Sequence, residues 1–131
     1  MKKKILTIDD NVAIVETLEL FLRLHGFAVR GAHCGHDGLA VARDFMPDLV
    51  LLDVIMPGMT GHEVCTSLKQ DDRLKKIPVI FVTVEGKPED ISLGYSLGAV
   101  DYILKPFDLS DLHKRIMFIL ENNNGHERKD S

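Results

Sequence analysis

Hydrophobic residues along the chain fall into two alternating patterns. Short, nearly solid apolar runs span Lys4 to Asp9, Phe27 to Ala32, Asp48 to Asp53, Ile77 to Thr83 and Val100 to Leu104. Between them lie longer stretches whose apolar positions recur at helical spacing: Asn11 to His25, His36 to Met46, His62 to Asp72, Pro88 to Leu97 and Leu109 to Glu121. Runs of four to seven residues suit strands covered on both faces, and the intervening periodic stretches suit helices that each bury one stripe. Gly26, Pro47 and Gly98 stand where helices should stop, glycine because it accepts a left-handed cap and proline because it cannot continue a helix. In the fifth helix Leu109, Leu112, Ile116, Ile119 and Leu120 share one face. The alternation predicts five βα units forming an α/β domain with a doubly wound, five-stranded parallel sheet. The stretch 122–131 is polar and lacks an apolar face, so it is expected to be a flexible tail after a single domain over 1–121.

Composition narrows the class. Of 131 residues, 45% are hydrophobic and 27% charged, the balance of an ordinary globular domain. Net charge is −4, and apart from Lys2, Lys3 and Lys4 the basic residues are scattered. Such a surface offers no stripe for phosphate backbones, and the chain is expected not to contact nucleic acid directly. The apolar run after the amino terminus ends at Asp9, too short for a signal peptide or a membrane span. Cys34 and Cys65 form no CxxC pair and read as small buried hydrophobes. These features point to the cytoplasm.

Right-handed crossovers put the ligand site of such a sheet at the carboxyl ends of its strands. Polar residues able to do chemistry stand at four of those ends: Asp9 and Asp10, Asp53, Thr83, and Lys105. Asp9 and Asp10 alone could serve as helix caps. Together with Asp53 they would repel one another without a cation, and three carboxylates suit a hard ion such as Mg2+. Lys105 could hold a phosphoryl oxygen and Thr83 could donate a hydroxyl hydrogen to another, while Asp53 is a nucleophile able to form an aspartyl phosphate. The histidines near Cys34, His33 and His36, lack a second ligand pair and read as surface residues. His25, His62, His113 and His126 stand alone in the sequence.

The motifs Ile8-Asp9-Asp10, Leu51 to Gly61, Val82-Thr83 and Gly98 to Phe107 together make the chain, to about residue 121, resemble the receiver domains of response regulators in two-component signalling. The resemblance implies a flavodoxin-like (βα)5 fold with strand order 2-1-3-4-5, an order that general accounts of this fold illustrate with a chemotaxis receiver. It implies that Asp53 is the phosphoacceptor, and that Asp9, Asp10, Asp53 and the backbone carbonyl of Ile55 hold Mg2+. Lys105 would pair with the phosphoryl group, the Lys105–Pro106 bond would be cis, and Thr83 and Tyr102 would be the switch pair that alters the surface of the fourth helix, fifth strand and fifth helix. The implied partners are a histidine kinase or phosphotransfer protein, and the chain would be a signalling domain that catalyses only its own phosphorylation and dephosphorylation. One position departs from the family pattern: Val84 follows the switch Thr where the family commonly has Ala or Gly.

Three other readings compete with this one. A dehalogenase-like phosphatase needs a second Asp two residues after its nucleophile, where Ile55 stands. A flavin-binding module would need a phosphate-cradling loop after the first strand, where Asp9 and Asp10 are repulsive. A degenerate receiver acting only as a phosphorylation-independent interaction domain is disfavoured by the complete acidic set.

Overall fold

The computed structural model describes residues 1–130, with side chains described through residue 123. The elements alternate throughout: β1 (Lys4–Ile8), α1 (Val12–Leu24), β2 (Ala28–Ala32), α2 (Gly35–Phe45), β3 (Leu49–Leu52), α3 (Gly61–Gln70), β4 (Val79–Thr83), α4 (Pro88–Ser96), β5 (Asp101–Leu104) and α5 (Leu109–Asp130). All strand pairs are parallel, in the order β2-β1-β3-β4-β5. The expected fold class and strand order are therefore those of the molecule. Helix α5 is assigned well past Glu121. The side chains of 124–130 and all of residue 131 lie outside the described residues, and with them most of the tail expected over 122–131.

Period-two alternation along the central strands divides the interior into two cores. Leu6, Ile8, Val50, Leu52, Val79 and Phe81 face one side and pack against Leu39 and Ala42 of α2 and Val64 and Leu68 of α3. Ile5, Leu49, Leu51, Ile80, Val82 and Ile103 face the other and pack against Leu18 and Leu22 of α1 and Leu112, Ile116 and Leu120 of α5. Because β3 and β4 are buried on both faces, every one of their positions is apolar until the last, Thr83.

Local chemistry sets the boundaries. Asn11 caps α1 by accepting from the Ile14 amide at 3.2 Å. Thr60 and Glu63 form a reciprocal capping box at the start of α3. Pro88 opens α4 at the first helical position, where its missing N–H costs nothing. The strands expected at Ile77 and Val100 begin later, at Val79 and Asp101. Pro78 has no amide hydrogen for the ladder, but its carbonyl accepts from Val50 at 3.0 Å, so it leads the chain into the sheet.

Candidate functional site

The chain winds one way from β1 to β2 and the other way from β3 onward, so the crevice opens at the carboxyl ends of the adjacent strands β1 and β3. Register places Ile8 opposite Leu52, which brings the next residues, Asp9 and Asp53, side by side. The Asp53 amide donates to the Ile8 carbonyl at 3.0 Å and fixes that neighbourhood. Asp9 is 3% exposed and Asp53 6%, while Asp10 lies in solvent. One carboxylate oxygen from each of the three lies within 4.8 Å of the others. This donor set, hard oxygens with Asp10 open to water, fits a small divalent cation.

Lys105, just past β5, reaches across the end of β4 into this cluster. Its Nζ donates to Asp9 Oδ2 at 2.7 Å and to Asp53 Oδ2 at 3.0 Å. The positive charge that three converging carboxylates require is thus partly supplied by the chain itself. Burial pushes the Asp9 carboxyl above its usual range, with the Asp53 charge adding to it; hydrogen bonds from Lys105 and the Asn11 amide only partly offset this. Burial also opposes the charge on Lys105, but the two carboxylates outweigh it and hold the ammonium above its ordinary value. The Lys105 amide donates to the Thr83 carbonyl at 2.9 Å, and the Lys105–Pro106 peptide bond is cis.

The loop after Asp53 folds back tightly. The Ile55 amide donates to Asp53 Oδ1 at 3.2 Å, and the Gly61 amide donates to the Val54 carbonyl at 2.9 Å. A Cβ at Gly61 would collide with the Asp53 carbonyl oxygen, so only glycine permits this approach.

Thr83 is fully buried at the end of β4, its hydroxyl accepting from the Glu85 amide at 3.3 Å. Tyr102 is 8% exposed, its ring 5.8 Å from Phe81, and its hydroxyl donates to the Glu85 carbonyl at 2.7 Å. The ring therefore lies inward, beneath α4. Burial first, and then the charges of Asp90, Glu85 and Asp53, push its phenol up to about 12. The backbone of Glu85 joins the Thr83 hydroxyl to the Tyr102 hydroxyl, a link that side-chain motifs could not reveal because Glu85 contributes only main-chain atoms to it. Val84 is 63% exposed and packs into neither core.

The structure brings Asp9, Asp10, Asp53 and Lys105 together, with Thr83 tied to Lys105 through the backbone. It leaves His33 and His36 exposed, and among the described residues Asp9, Asp10 and Asp53 are the sole group of three or more potential metal ligands. It also brings together two residues that looked isolated: the rings of His25 and His113 lie 4.5 Å apart between α1 and α5.

The sequence profile of the response regulator receiver domain matches residues 5–117. The chain belongs to this family. It is 38% identical to the DNA-binding dual master transcriptional regulator RpaA of Synechocystis, over 89% of this chain and 48% of that protein. It is 37% identical to the DNA-binding response regulator MtrA of Mycobacterium tuberculosis, over 94% of this chain and 53% of that protein. A receiver domain protein of Methanospirillum hungatei superposes with a TM-score of 0.91 at 28% identity, covering 96% of this chain and 99% of that one. The receiver chain thus spans about half the length of the curated relatives it matches.

These relatives correct one expectation. The reading that nucleic acid is not a partner is overturned by proteins of this similarity being named as DNA-binding. The physical reason is one of extent: a net charge of −4 describes only this segment, whereas the named DNA binding belongs to proteins about twice its length. Among the described residues no helix is long and apolar enough to cross a membrane.

Proposed function

We propose that this receiver accepts a phosphoryl group on Asp53 from a phosphohistidine on a kinase or phosphotransfer protein. The observation that carries this reading is the double hydrogen bond from Lys105 to Asp9 and Asp53, in a crevice where three carboxylates converge. An Asp53 carboxylate oxygen attacks phosphorus, the P–N bond of the donor breaks, and the imidazole leaves with a proton. Asp9, Asp10, Asp53 and the Ile55 carbonyl would hold Mg2+, which when bound neutralises the anionic crevice and the incoming phosphoryl oxygens. Lys105 then turns its ammonium from the carboxylates toward a phosphoryl oxygen. Thr83 turns its hydroxyl to donate to another, and its link through Glu85 to Tyr102 carries the change to α4, β5 and α5. Val84, the exposed residue that follows Thr83, would flank the approach to this site, where its branched side chain would slow the water that hydrolyses the acyl phosphate. By the naming of the relatives, the output of the whole protein is DNA binding regulated by this domain.

The test is phosphorylation by a small phosphodonor, read as intact mass. Label should appear only with Mg2+, be lost in acid- or base-treated protein, and be absent from Asp53→Asn. Equal label in Asp53→Asn, or label independent of Mg2+, would refute the assignment.

A further inference from the structure

His25 and His113 are 88 positions apart in the chain, yet the fold brings their rings together. His25 is the carboxyl-terminal cap of α1. Its Nδ1 lies 2.9 Å from the Phe21 carbonyl, a contact that requires a hydrogen on Nδ1 and leaves the lone pair on Nε2. A backbone carbonyl holding one imidazole nitrogen in this way is the usual support for a metal-ligating histidine. His113, in the second turn of α5, is half-buried, and among the described residues it meets the rings of His25, of Phe21 at 6.1 Å and of Phe27 at 6.3 Å. Neither of its nitrogens is among the buried unpartnered atoms, so they reach solvent and remain open to a ligand.

The two ring centroids are 4.5 Å apart with planes inclined by 52°. With metal–nitrogen bonds of about 2.0–2.1 Å, two imidazoles on one ion place their centroids roughly 4.5 Å apart at a right angle and about 5.2 Å apart at the tetrahedral angle, so the observed pair stands at or just inside chelating distance. A tilted aromatic pair would satisfy the distance as well; the carbonyl contact, which also caps the end of α1, fixes Nε2 of His25 as the nitrogen left free to ligate.

We propose that His25 and His113 form a two-imidazole chelate for a first-row transition ion that favours nitrogen ligands, Zn2+ foremost, pinning the carboxyl-terminal end of α1 to α5. No third donor joins them among the described residues, so water completes the coordination. The site is separate in position and in ligand chemistry from the carboxylate crevice.

The experiment is a Zn2+ titration of the full chain, with Mg2+ in large excess to favour the hard ion at the carboxylates. It is followed by long-range proton–nitrogen correlations of the imidazoles. The ring nitrogens of His25 and His113 should move together and saturate at one Zn2+ per chain, and Zn2+ should raise the Tm. His25→Phe and His113→Phe keep an aromatic ring in the seam but remove the ligand. Each should weaken Zn2+ binding by about tenfold or more and abolish the rise in Tm, with the amide spectrum otherwise retained. Unmoved rings, movement of only one ring, movement confined to His33 and His36, or Phe variants that bind as tightly as the parent would reduce the cluster to an aromatic seam.

Discussion

Lys105 stands between two buried carboxylates and is the residue on which the crevice most depends when no other cation neutralises it. Removing one partner of a buried ionic group leaves the others uncompensated, which costs about 3 kcal/mol. Lys105→Met should lower the stability of the metal-free domain by that order at neutral pH. Its pH dependence follows from Asp9, whose carboxyl already lies above its usual range and would rise further without the ammonium. A carboxyl whose folded value is raised destabilises fully above that value. The penalty shrinks as pH falls through it and vanishes below the unfolded value. Urea unfolding of parent and variant should therefore converge on acidification. Curves that stay parallel down to the ordinary carboxylate range would show that Lys105 acts through packing.

At the scale of elements, α4 is the helix poised against the switch. It contributes few side chains to the core, its only fully buried residue being Gly94, and that glycine faces the Tyr102 ring. A Cβ there would lie 2.9 Å from Cε2 and 3.0 Å from Cδ2 of Tyr102, and 3.2 Å from Cδ2 of Phe81. The ring cannot slide away while its hydroxyl is held by Glu85. Alanine would improve helix propensity by about 1 kcal/mol, but overpacking costs about 1–3 kcal/mol, so the crowding decides the sign. Gly94→Ala should be destabilised by roughly 1 kcal/mol, with the Tyr102 ring resonances displaced. A stabilised variant with an unmoved ring would show that α4 shifts outward at no cost. The longer end of α3 expected from the sequence is likewise settled at this scale: Asp71 leaves helical geometry and accepts from the Arg73 amide at 2.9 Å, a local turn that competes with another helical turn.

For the whole molecule, the acidic crevice couples folding to ligand binding, because Asp9, Asp10 and Asp53 converge only in the native sheet. An ion that binds only the folded state stabilises it by about 2.7 kcal/mol at a hundredfold excess over Kd. Mg2+ should accordingly raise the Tm of the parent by several degrees. Asp10→Ala should abolish most of that rise while leaving the metal-free Tm equal or higher, since one of three mutually repelling charges is gone. Thermal melts with and without Mg2+ decide this, and a parent Tm insensitive to Mg2+ would remove the carboxylates as a metal site.

Solid apolar runs alternating with helical stretches were enough to read five βα units, because a parallel sheet covered on both faces leaves almost no polar position in β3 and β4. Asp9, Asp10, Asp53, Thr83 and Lys105 were legible for a related reason: each interrupts or follows an apolar run, where burial alone would not place a polar group. What no local pattern contains is distance between segments. The bridging of Asp9 and Asp53 by one Lys105 ammonium, the inward ring of Tyr102 held by a main-chain oxygen, and the meeting of His25 with His113 all join residues far apart in the chain. Strand register and the packing of helices on the two sheet faces create those contacts, so only the tertiary structure could decide them. The DNA-binding naming of the relatives marks the same boundary at the largest scale, since the charge of one domain carries no information about residues outside it.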